Sequence, residues 1–250
     1  MIMDSKINNT NYMPQEIDAL FISDVHLGSK GSKAEELLQT LKLYKPKTLY
    51  LVGDIIDGWL LKRRHFWPQS HTNVIRKILS FSKNGAQVVY ITGNHDDFLR
   101  SYDHLDFGNI IILDEIIVEG VLITHGDKWD TVIMWNKWIG VLGSIGYEIT
   151  LVINEWIKKI RSSLGLRPKS FSKWIKSKVK NAVAFISSFE TTLAKEAKSR
   201  GCHAVICGHI HTMADKNVDG IHYLNTGDWI ENCSWITLDK GVWELHSLNP

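Results

Sequence analysis

Five short clusters of polar side chains recur along this chain of 250 residues. They are Asp24-Val-His26, Gly53-Asp54-Ile-Ile-Asp57, Gly93-Asn94-His95-Asp96, Thr124-His125-Gly-Asp127 and Gly208-His209-Ile-His211. Any single cluster could be an ordinary turn or a pair of surface histidines, since Asp and Asn are common turn residues. Five in succession, all built from carboxylates, carboxamides and imidazoles, favour one common site.

The side chains in these clusters are typical metal ligands. Carboxylates and carboxamides are hard oxygen donors, and neutral imidazoles suit first-row transition metals. No cysteine belongs to the clusters, which argues against a structural zinc site. The set is too large for one ion and suits two ions that share a carboxylate: Asp24, His26, Asp54, Asn94, His125, His209 and His211. Two ions about 3.5–4 Å apart stabilise the attacking and leaving oxygens of phosphoryl transfer and generate hydroxide near neutral pH.

Each cluster directly follows a short apolar run that is typical of a β-strand. The runs are ALFIS, TLYLVG, QVVYITG, GVLIT and HAVICG. The carboxyl ends of strands are where open α/β sheets gather their sites. The elements between the runs should therefore hold the clusters together at one edge.

Helical patterns separate the first three runs. Between the first two, the apolar spacing from Ala34 to Tyr44 predicts a helix that Pro46 should stop. Between the second and third, Val74, Ile75, Ile78 and Leu79 predict another, ended by a basic turn and Gly85. Strands that alternate with single helices indicate βαβ units.

The second half of the chain predicts a mixed sheet system. The stretch NIIILDEIIVEGVLIT predicts a strand pair, and residues 221–248 are rich in β formers. Residues from about 129 to 199 contain no convincing strand and predict a helical insertion in a single domain spanning 1–250. Its last helix has an apolar face of Val179, Val183, Ile186, Leu193 and Ala197.

Composition is that of an ordinary soluble globular protein, with 44% hydrophobic and 22% charged residues. The apolar stretch 138–157 contains Glu148, which would cost roughly 2.5–3.5 kcal/mol at a bilayer centre, so a packed helix is expected there. Three cysteines form no C-x-x-C motif, and the polar N-terminus lacks the apolar region of a secretory signal. A cytoplasmic location is predicted.

The order of the motifs resembles the signature of the calcineurin-like metallophosphoesterases. D-x-H, G-D-x-x-D, G-N-H-D, a later His-Gly and G-H-x-H extend over residues 24 to 211. The resemblance implies an α/β fold of two packed β-sheets flanked by helices (α/β/β/α). It also implies one metal on Asp24, His26, Asp54 and His211, and a second on Asp54, Asn94, His125 and His209.

The same resemblance assigns roles around the metals. His95 would lie beside the scissile phosphate, where it stabilises charge or protonates the leaving oxygen. Asn94 is counted among the catalytic residues as well as the ligands. Asp96 is expected to be the carboxylate partner of His95, with a solvated helix-capping Asp as the alternative.

Within that superfamily, the chain is most similar to the UDP-2,3-diacylglucosamine hydrolases of lipid A biosynthesis. The FISDVHLG opening, the THGD block and the helical insertion carry this similarity. It implies that hydroxide generated at the metals cleaves a pyrophosphate bond, giving UMP and a lipid sugar phosphate. Manganese is the usual metal, and the ligand set also accepts Fe, Co or Zn. The best-known branch has G-N-R-D where this chain has G-N-H-D at His95, so the similarity specifies the reaction type better than the substrate.

Two basic, aromatic segments are candidates for contacts with such a substrate. Residues 151–180 hold nine Lys or Arg against one acid, with Trp156, Phe171 and Trp174 among them. An interfacial helix pair on an anionic inner membrane leaflet and a solvated basic face with buried tryptophans explain this pattern equally well.

The second segment, WLLKRRHFW, follows the GDIID motif. Arg63 and Arg64 could grip a diphosphate, and Phe66 or Trp67 could stack on a base. A surface loop with an anchoring aromatic is the alternative. Asp127 of the THGD block is a further predicted substrate contact.

Other functions remain open at the level of sequence. A phosphodiesterase or phosphatase for another lipid, a nucleotide or a nucleic acid is the nearest alternative, and nucleic acid is the least favoured of these substrates. A metal-free binding scaffold is disfavoured because all seven candidate ligands are present. No obligate protein partner is inferred.

Overall fold

The computed structural model describes residues 13–106, 108–129 and 171–249, with the backbone alone over 171–181. Its strands are β1 (Gln15–Ile22), β2 (Tyr44–Val52), β3 (Gln87–Ile91), β4 (Ile110–Leu113), β5 (Glu115–Val118), β6 (Val121–Thr124), β7 (Ala204–Cys207), β8 (Ala214–Val218), β9 (Ile221–Asn225), β10 (Ser234–Asp239) and β11 (Val242–Ser247). Its helices are α1 (Ala34–Lys42), α2 (Gly58–Leu61), α3 (Gln69–Lys83) and α4 (Phe171–Ser199).

The strands form two sheets. The first has the order β11-β10-β1-β2-β3-β4, in which β1 to β4 run parallel and β10 and β11 are antiparallel additions. The second has the order β5-β6-β7-β9-β8, in which β6, β7 and β9 are parallel. The predicted mixed α/β fold with two packed sheets is confirmed.

Alternation along β2 shows how the layers are built. Leu49 and Leu51 pack with buried side chains of α1 and α3 on the outer face of the first sheet. Tyr50 and Val52 face the other way, into a second apolar cluster that contains β6, β7 and β9 residues of the second sheet. Successive side chains of a strand point to opposite faces, so β2 supports both layers of the core.

The predicted helix between the first two strands is shorter than its apolar spacing suggested. It ends at Lys42, and Tyr44 already begins β2. Pro46 is therefore a strand residue instead of a helix stop. This is possible because β3 pairs with β2 only from Thr48 onward, so the proline lies where β2 has one neighbour and lacks no ladder bond on that side.

The stretch predicted as a strand pair contains three strands. β5 and β6 form the expected antiparallel hairpin, whereas β4 pairs with β3 in the first sheet. The chain therefore changes sheets at Asp114.

Helix α4 ends at Ser199, and Gly201 just beyond it has φ +73°. Leu193 and Ala197 of its predicted apolar face are buried, while Val183 is exposed. The predicted packed helix at 138–157 and most of the basic segment 151–180 lie outside the described residues, so the helical insertion stays a prediction.

The chain divides into two compact units, residues 1–127 with 193–250 and residues 128–192. Both sheets and every residue of the site described below belong to the first unit. Among the described helices, none combines the length and the hydropathy that a bilayer span requires.

Candidate metal centre

Five loops at strand ends converge on one place. The loops after β1, β2 and β3 carry Asp24, His26, Asp54, Asn94 and His95, and the loops after β6 and β7 carry His125, His209 and His211. The Asp24 amide donates to the Gly53 carbonyl over 3.0 Å, and the Gly208 amide donates to the His125 carbonyl over 3.2 Å. Neighbouring loops are thereby fixed to each other at the carboxyl edge of each sheet.

Asp24, His26 and His211 form one group of side chains that could hold an ion. Their ligand atoms all lie within 4.8 Å of one another. His211 Nε2 lies 3.1 Å from Asp24 Oδ1 and 3.3 Å from His26 Nε2. The structure thus brings together three of the four side chains expected on the first metal.

Asp54 links this group to a second one. Its Oδ2 lies 3.8 Å from His26 Nε2 and 3.4 Å from His125 Nε2. Asp24, Asp54 and His125 also offer ligand atoms within 4.8 Å of one another. A carboxylate in contact with both groups has the position that a bridging ligand needs.

The remaining two candidate ligands lie close to the second group. The ring of His209 packs edge-on to that of His125, with 5.1 Å between centroids, and both side chains are buried. Asn94 is half-buried and directly precedes His95, whose amide donates to Asp54 Oδ1 over 2.7 Å.

Asp24 Oδ1, Asp54 Oδ2 and His125 Nε2 are among the buried polar atoms that have no hydrogen-bond partner, as is Nδ1 of the adjacent His95. A buried polar atom left unsatisfied costs about 1–3 kcal/mol, and more when it is charged. The atoms of Asp24, Asp54 and His125 are of the kinds that coordinate divalent cations, and they lie within 4.8 Å of one another. The donor set therefore fits metal ions, with oxygen and imidazole ligands suited to Mn, Fe, Co or Zn.

The backbone around these ligands is unusual. Asp24, His26, Asp54, His209 and His211 all have φ between +50° and +71°, a region that non-glycine residues rarely adopt. Among the other described residues, this conformation occurs in hairpin turns at Glu119, Asp219 and Lys240, each before a glycine, and also at His104 and Cys233. Such conformations cost of order 1–3 kcal/mol each and cluster at functional sites.

Two glycines in the motif blocks make room for the carboxylates. A Cβ on Gly93 would overlap Asp54 Oδ1, and a Cβ on Gly208 would overlap Asp24 Oδ2. The glycines of G-N-H-D and G-H-x-H are therefore needed because backbone and carboxylate touch at these positions.

Electrostatics bind the carboxylates and imidazoles into pairs. Burial alone would raise the pKa of Asp24, but His211 and His26 outweigh it and hold that pKa well below its usual range. Burial also opposes charge on Asp54, whose pKa His125 nonetheless lowers. In turn, although burial alone would lower their pKa values, the carboxylates raise the pKa of His125 to about 9 and that of His211 to about 10. Without metal, protons on the imidazoles balance the buried anions.

Each of three candidate imidazole ligands has an acceptor behind its second nitrogen. His125 Nδ1 lies 2.9 Å from the Val52 carbonyl. His26 Nδ1 lies 3.5 Å from Asp57 Oδ2, and His211 Nδ1 lies 3.3 Å from Asp228 Oδ2. An acceptor at Nδ1 leaves the Nε2 lone pair for a metal.

His95 stands at the edge of this centre. Its Nδ1 lies 3.1 Å from Asp57 Oδ1, and its ring centroid lies 4.3 Å from that of Trp59, which is 37% exposed. The expectation that Asp96 is the carboxylate beside His95 is not met, because Asp57 occupies that position.

Asp96 instead fixes two loops from inside. Its fully buried carboxylate accepts hydrogen bonds from the Gly93 amide, the Ile55 amide and the Tyr90 hydroxyl. Burial and the nearby Asp54 raise its pKa. This carboxylate joins the loop after β2 to the loop after β3.

Asp127 lies in an ion pair. Arg100 Nη2 donates to Asp127 Oδ2 over 2.7 Å, and Arg100 Nε lies 3.2 Å from Asp114 Oδ1. The carboxylate predicted to contact substrate is therefore already held by Arg100.

The predicted substrate contacts of the WLLKRRHFW segment lie between α2 and α3. Arg63 and Arg64 are exposed just after α2. Trp67 is 38% exposed, donates from Nε1 to Thr72 and packs edge-on to His71. Trp59 is the aromatic residue of this segment that contacts His95.

Sequence reasoning did not assign Asp57, Asp228 or Trp59. Asp57 closes the GDIID block, and Asp228 stands in a TGDW stretch just after β9. An aspartate following a strand was the available signal for both. Nothing in the spacing indicated that Trp59, and not Trp67, would lie over a motif histidine.

Known proteins resemble the chain along most of its length. A family model described as calcineurin-like phosphoesterase matches residues 17–213. The UDP-2,3-diacylglucosamine hydrolase of Porphyromonas gingivalis is 25% identical, covering 91% of this chain and 96% of its own length. That of Stenotrophomonas maltophilia strain K279a is also 25% identical, covering 92% and 98%. The structure of Yfce, a phosphoesterase from E. coli, has a TM-score of 0.45 at 16% identity, covering 92% of this chain and 93% of its own.

Proposed function

Since the chain belongs to the calcineurin-like phosphoesterase family and is a metal-dependent phosphoester hydrolase, we propose that its substrate is a nucleotide-linked lipid. The proposed reaction is hydrolysis of the pyrophosphate bond of UDP-2,3-diacylglucosamine or a close analogue, giving UMP and a lipid sugar phosphate. The names of the similar hydrolases, each matched over most of both chains, support this substrate class.

One observation carries the metal requirement. Asp24 Oδ1, Asp54 Oδ2 and His125 Nε2 are buried, converge, and have no hydrogen-bond partner. We assign one ion to Asp24, His26, Asp54 and His211 and a second to Asp54, Asn94, His125 and His209, with manganese expected. Bound there, two divalent ions would polarise the phosphoryl oxygens and lower the pKa of water toward neutrality.

The residues around the ions have separate tasks in this proposal. Asp57 Oδ1 lies 3.1 Å from His95 Nδ1, and His95 Nε2 would give a proton to the leaving oxygen or stabilise its charge. The His95 amide donates to Asp54 Oδ1, which links the backbone of His95 to the carboxylate proposed to bridge the ions.

The half-exposed ring of Trp59 gives the substrate an aromatic surface beside His95. Exposed Arg63 and Arg64, at the end of the same short helix, provide guanidinium groups for the diphosphate. A cytoplasmic location with binding to an anionic inner membrane surface through residues 151–180 remains part of the proposal, supported by their charge and tryptophan content.

Turnover with manganese on three substrates tests the proposal. Hydrolysis of UDP-2,3-diacylglucosamine should exceed that of a generic phosphodiester and a generic phosphomonoester by orders of magnitude in kcat/KM. Efficient turnover of the generic diester alone would replace the proposed substrate with another phosphodiester while leaving the hydrolase assignment intact.

Two variants test the metal assignment. His125→Ala and Asn94→Ala should each reduce turnover at least 1,000-fold while far-UV circular dichroism is unchanged, because a ligand is lost. His222→Ala is the matched control, since His222 is a partly exposed histidine of β9 that pairs with Asp215. Full activity of His125→Ala in manganese-saturated buffer would refute the assignment.

A further inference from the structure

His211 is more exposed to solvent than His26, His95 and His125, three other imidazoles around the candidate ions. Its side chain is 32% exposed, whereas those of His26 and His125 are 5% and 0% exposed. It also has a left-handed backbone, with φ +54°. A ligand near solvent in a strained conformation requires specific contacts to stay in place.

The segment from Thr226 to Asn232, which we call the TGDW loop, supplies those contacts. Asp228 Oδ2 lies 3.3 Å from His211 Nδ1. The Asn232 side-chain amide donates to the His211 carbonyl over 2.9 Å and to Asp228 Oδ2 over 3.2 Å. The TGDW loop therefore contacts both the imidazole and the strained backbone of one ligand.

Asp228 is itself rigidly held. Its Oδ1 accepts from the amides of Ile230, Glu231 and Asn232 over 3.0, 2.8 and 2.9 Å. The residue is only 2% exposed, so water does not compete strongly for the carboxylate. One oxygen thus closes the loop, and the other contacts His211 and the Asn232 side-chain amide.

The TGDW loop also contacts Asp24, which belongs to the same group of candidate ligands as His211. The Trp229 amide donates to the Asp24 carbonyl over 3.0 Å, and Trp229 is fully buried. His211 Nε2 in turn lies 3.1 Å from Asp24 Oδ1. A single loop therefore sets the distance between these two side chains.

We propose that Asp228 and Asn232 are positioning residues that fix the tautomer and the orientation of His211 and thereby set the affinity of one of the two metal ions. With Asp228 accepting at Nδ1, the proton resides there and the Nε2 lone pair faces Asp24 and the ion. The second ion is assigned to Asp54, Asn94, His125 and His209, whereas the contacts of the TGDW loop given above are to His211 and Asp24. The inference rests on the proposed metal centre.

Asp228→Asn should change the tautomer of His211 while keeping the backbone hydrogen bonds of the TGDW loop. The amide oxygen can still accept the three backbone N–H bonds, which leaves the NH2 group facing His211 Nδ1. Nδ1 must then accept, which moves the ring proton to Nε2 and blocks the metal-binding atom. The substitution changes the donor pattern at His211 without removing side-chain volume.

The experiment is a calorimetric titration of metal-free protein with Mn²⁺, without substrate. Wild type should bind two ions, and Asp228→Asn should bind one of them 10–100-fold more weakly with the other changed less than threefold. Asn232→Ala, which leaves Asp228 and its backbone bonds in place, should weaken the same ion by a smaller factor. Asp215→Asn is the matched control, since Asp215 pairs with His222 over 2.7 Å outside the centre.

A spectroscopic readout distinguishes positioning from general destabilisation. In Zn²⁺-loaded protein labelled with ¹⁵N-histidine, the long-range imidazole spectrum should show the Nδ1–H tautomer of His211 in wild type and its loss in Asp228→Asn. Wild-type affinity for both ions in Asp228→Asn and in Asn232→Ala would overturn the inference. If Asp228→Asn does not fold, an unchanged titration of Asn232→Ala alone overturns it. A wild-type protein that binds no Mn²⁺ would instead refute the proposed function.

Discussion

Three imidazoles of this centre have a hydrogen-bond acceptor near the ring nitrogen that is not expected to bind metal. His26, His125 and His211 each have an acceptor at Nδ1, contributed by Asp57, Val52 and Asp228 respectively. The ligand types and their spacing were readable from the sequence because they recur at strand ends. Their acceptors could not be predicted from the sequence, because contacts such as that between His211 and Asp228 join separate loops and follow no periodicity.

The close contact at Gly208 leads to a prediction at this scale. Gly208→Ala should displace the Asp24 carboxylate, since the new Cβ would overlap Asp24 Oδ2. We expect a loss of at least tenfold in Mn²⁺ affinity and a destabilisation of about 1–3 kcal/mol, typical of overpacking. Metal titration and urea unfolding of the metal-free protein measure the two effects.

Gly31→Ala is the control for that variant. Its Cβ would meet Ile230 at 3.4 Å, an ordinary van der Waals contact. Both variants add one methyl group, but Gly31→Ala lacks the overlaps with Asp24 and Ser23 that Gly208→Ala creates. Equal metal affinities of the two variants would contradict the explanation given for the motif glycine.

Asp96 leads to a second prediction, because its carboxylate joins the loop after β2 to the loop after β3. Asp96→Ala would leave three buried donors, the Gly93 and Ile55 amides and the Tyr90 hydroxyl, without an acceptor. At about 1–3 kcal/mol for each unsatisfied group, a loss of roughly 3 kcal/mol or more in the free energy of unfolding is expected.

Tyr90→Phe removes one of those donors together with its need for an acceptor, so it should cost only about 1 kcal/mol. Urea denaturation of both variants in the presence of EDTA measures the stabilities without a contribution from metal. A stable Asp96→Ala protein with reduced kcat alone would favour the original expectation that Asp96 acts on His95.

At the scale of elements, the sequence indicated which segments are strands but not always to which sheet they belong. The apolar run from Asn109 to Thr124 was readable as β structure, yet its first strand joins β3 while the next two form the hairpin of the second sheet. All three are apolar and buried on at least one side, so their patterns do not distinguish the sheets. The end of α1 was misplaced for a related reason, since Tyr44 fits both a helix face and the core face of β2.

Helix α3 supports the loop that carries His26, and this contact predicts a pH dependence of stability. His71, near the start of α3, is buried and its Nδ1 accepts the Gly28 amide over 3.0 Å. Burial lowers the pKa of His71 below its usual 6.5. As the pH falls through 6.5, the unfolded chain takes up a proton before the folded protein does, so this residue's stabilising contribution declines until the pH passes the folded-state pKa.

His71→Asn keeps an acceptor at the Nδ1 position and removes the titration. Relative to wild type, the variant should be less stable by about 1 kcal/mol at pH 8, where wild type has its full contribution, and the difference should shrink toward pH 5. Urea unfolding of both proteins from pH 5 to 8, with EDTA present throughout, measures this. Parallel stability curves over the whole range would show that His71 does not titrate as its burial implies.

For the whole molecule, the two sheets contribute different ligands to one centre. Asp24, His26, Asp54 and Asn94 follow strands of the first sheet, and His125, His209 and His211 follow strands of the second. The apolar core between the sheets holds them face to face. Metal ions coordinated from both sides would therefore add a second connection between the sheets, located at their carboxyl edges.

Removal of metal should accordingly lower global stability. Ions that bind the folded state alone stabilise it by about 2.7 kcal/mol at 100 times their dissociation constant. For a domain of this size, that energy corresponds to a fall of roughly 5–10 °C in Tm on adding EDTA. Differential scanning calorimetry measures the fall and its recovery with Mn²⁺, and His125→Ala should show a smaller response because one ion has lost a ligand.

The effect of metal removal should also be local. Amide exchange should accelerate most in the loops after β2 and β7, where strained Asp54 and His211 would lose the ions that compensate their conformation. A uniform acceleration along all strands would mean that the ions stabilise the fold without acting as the connection between its sheets.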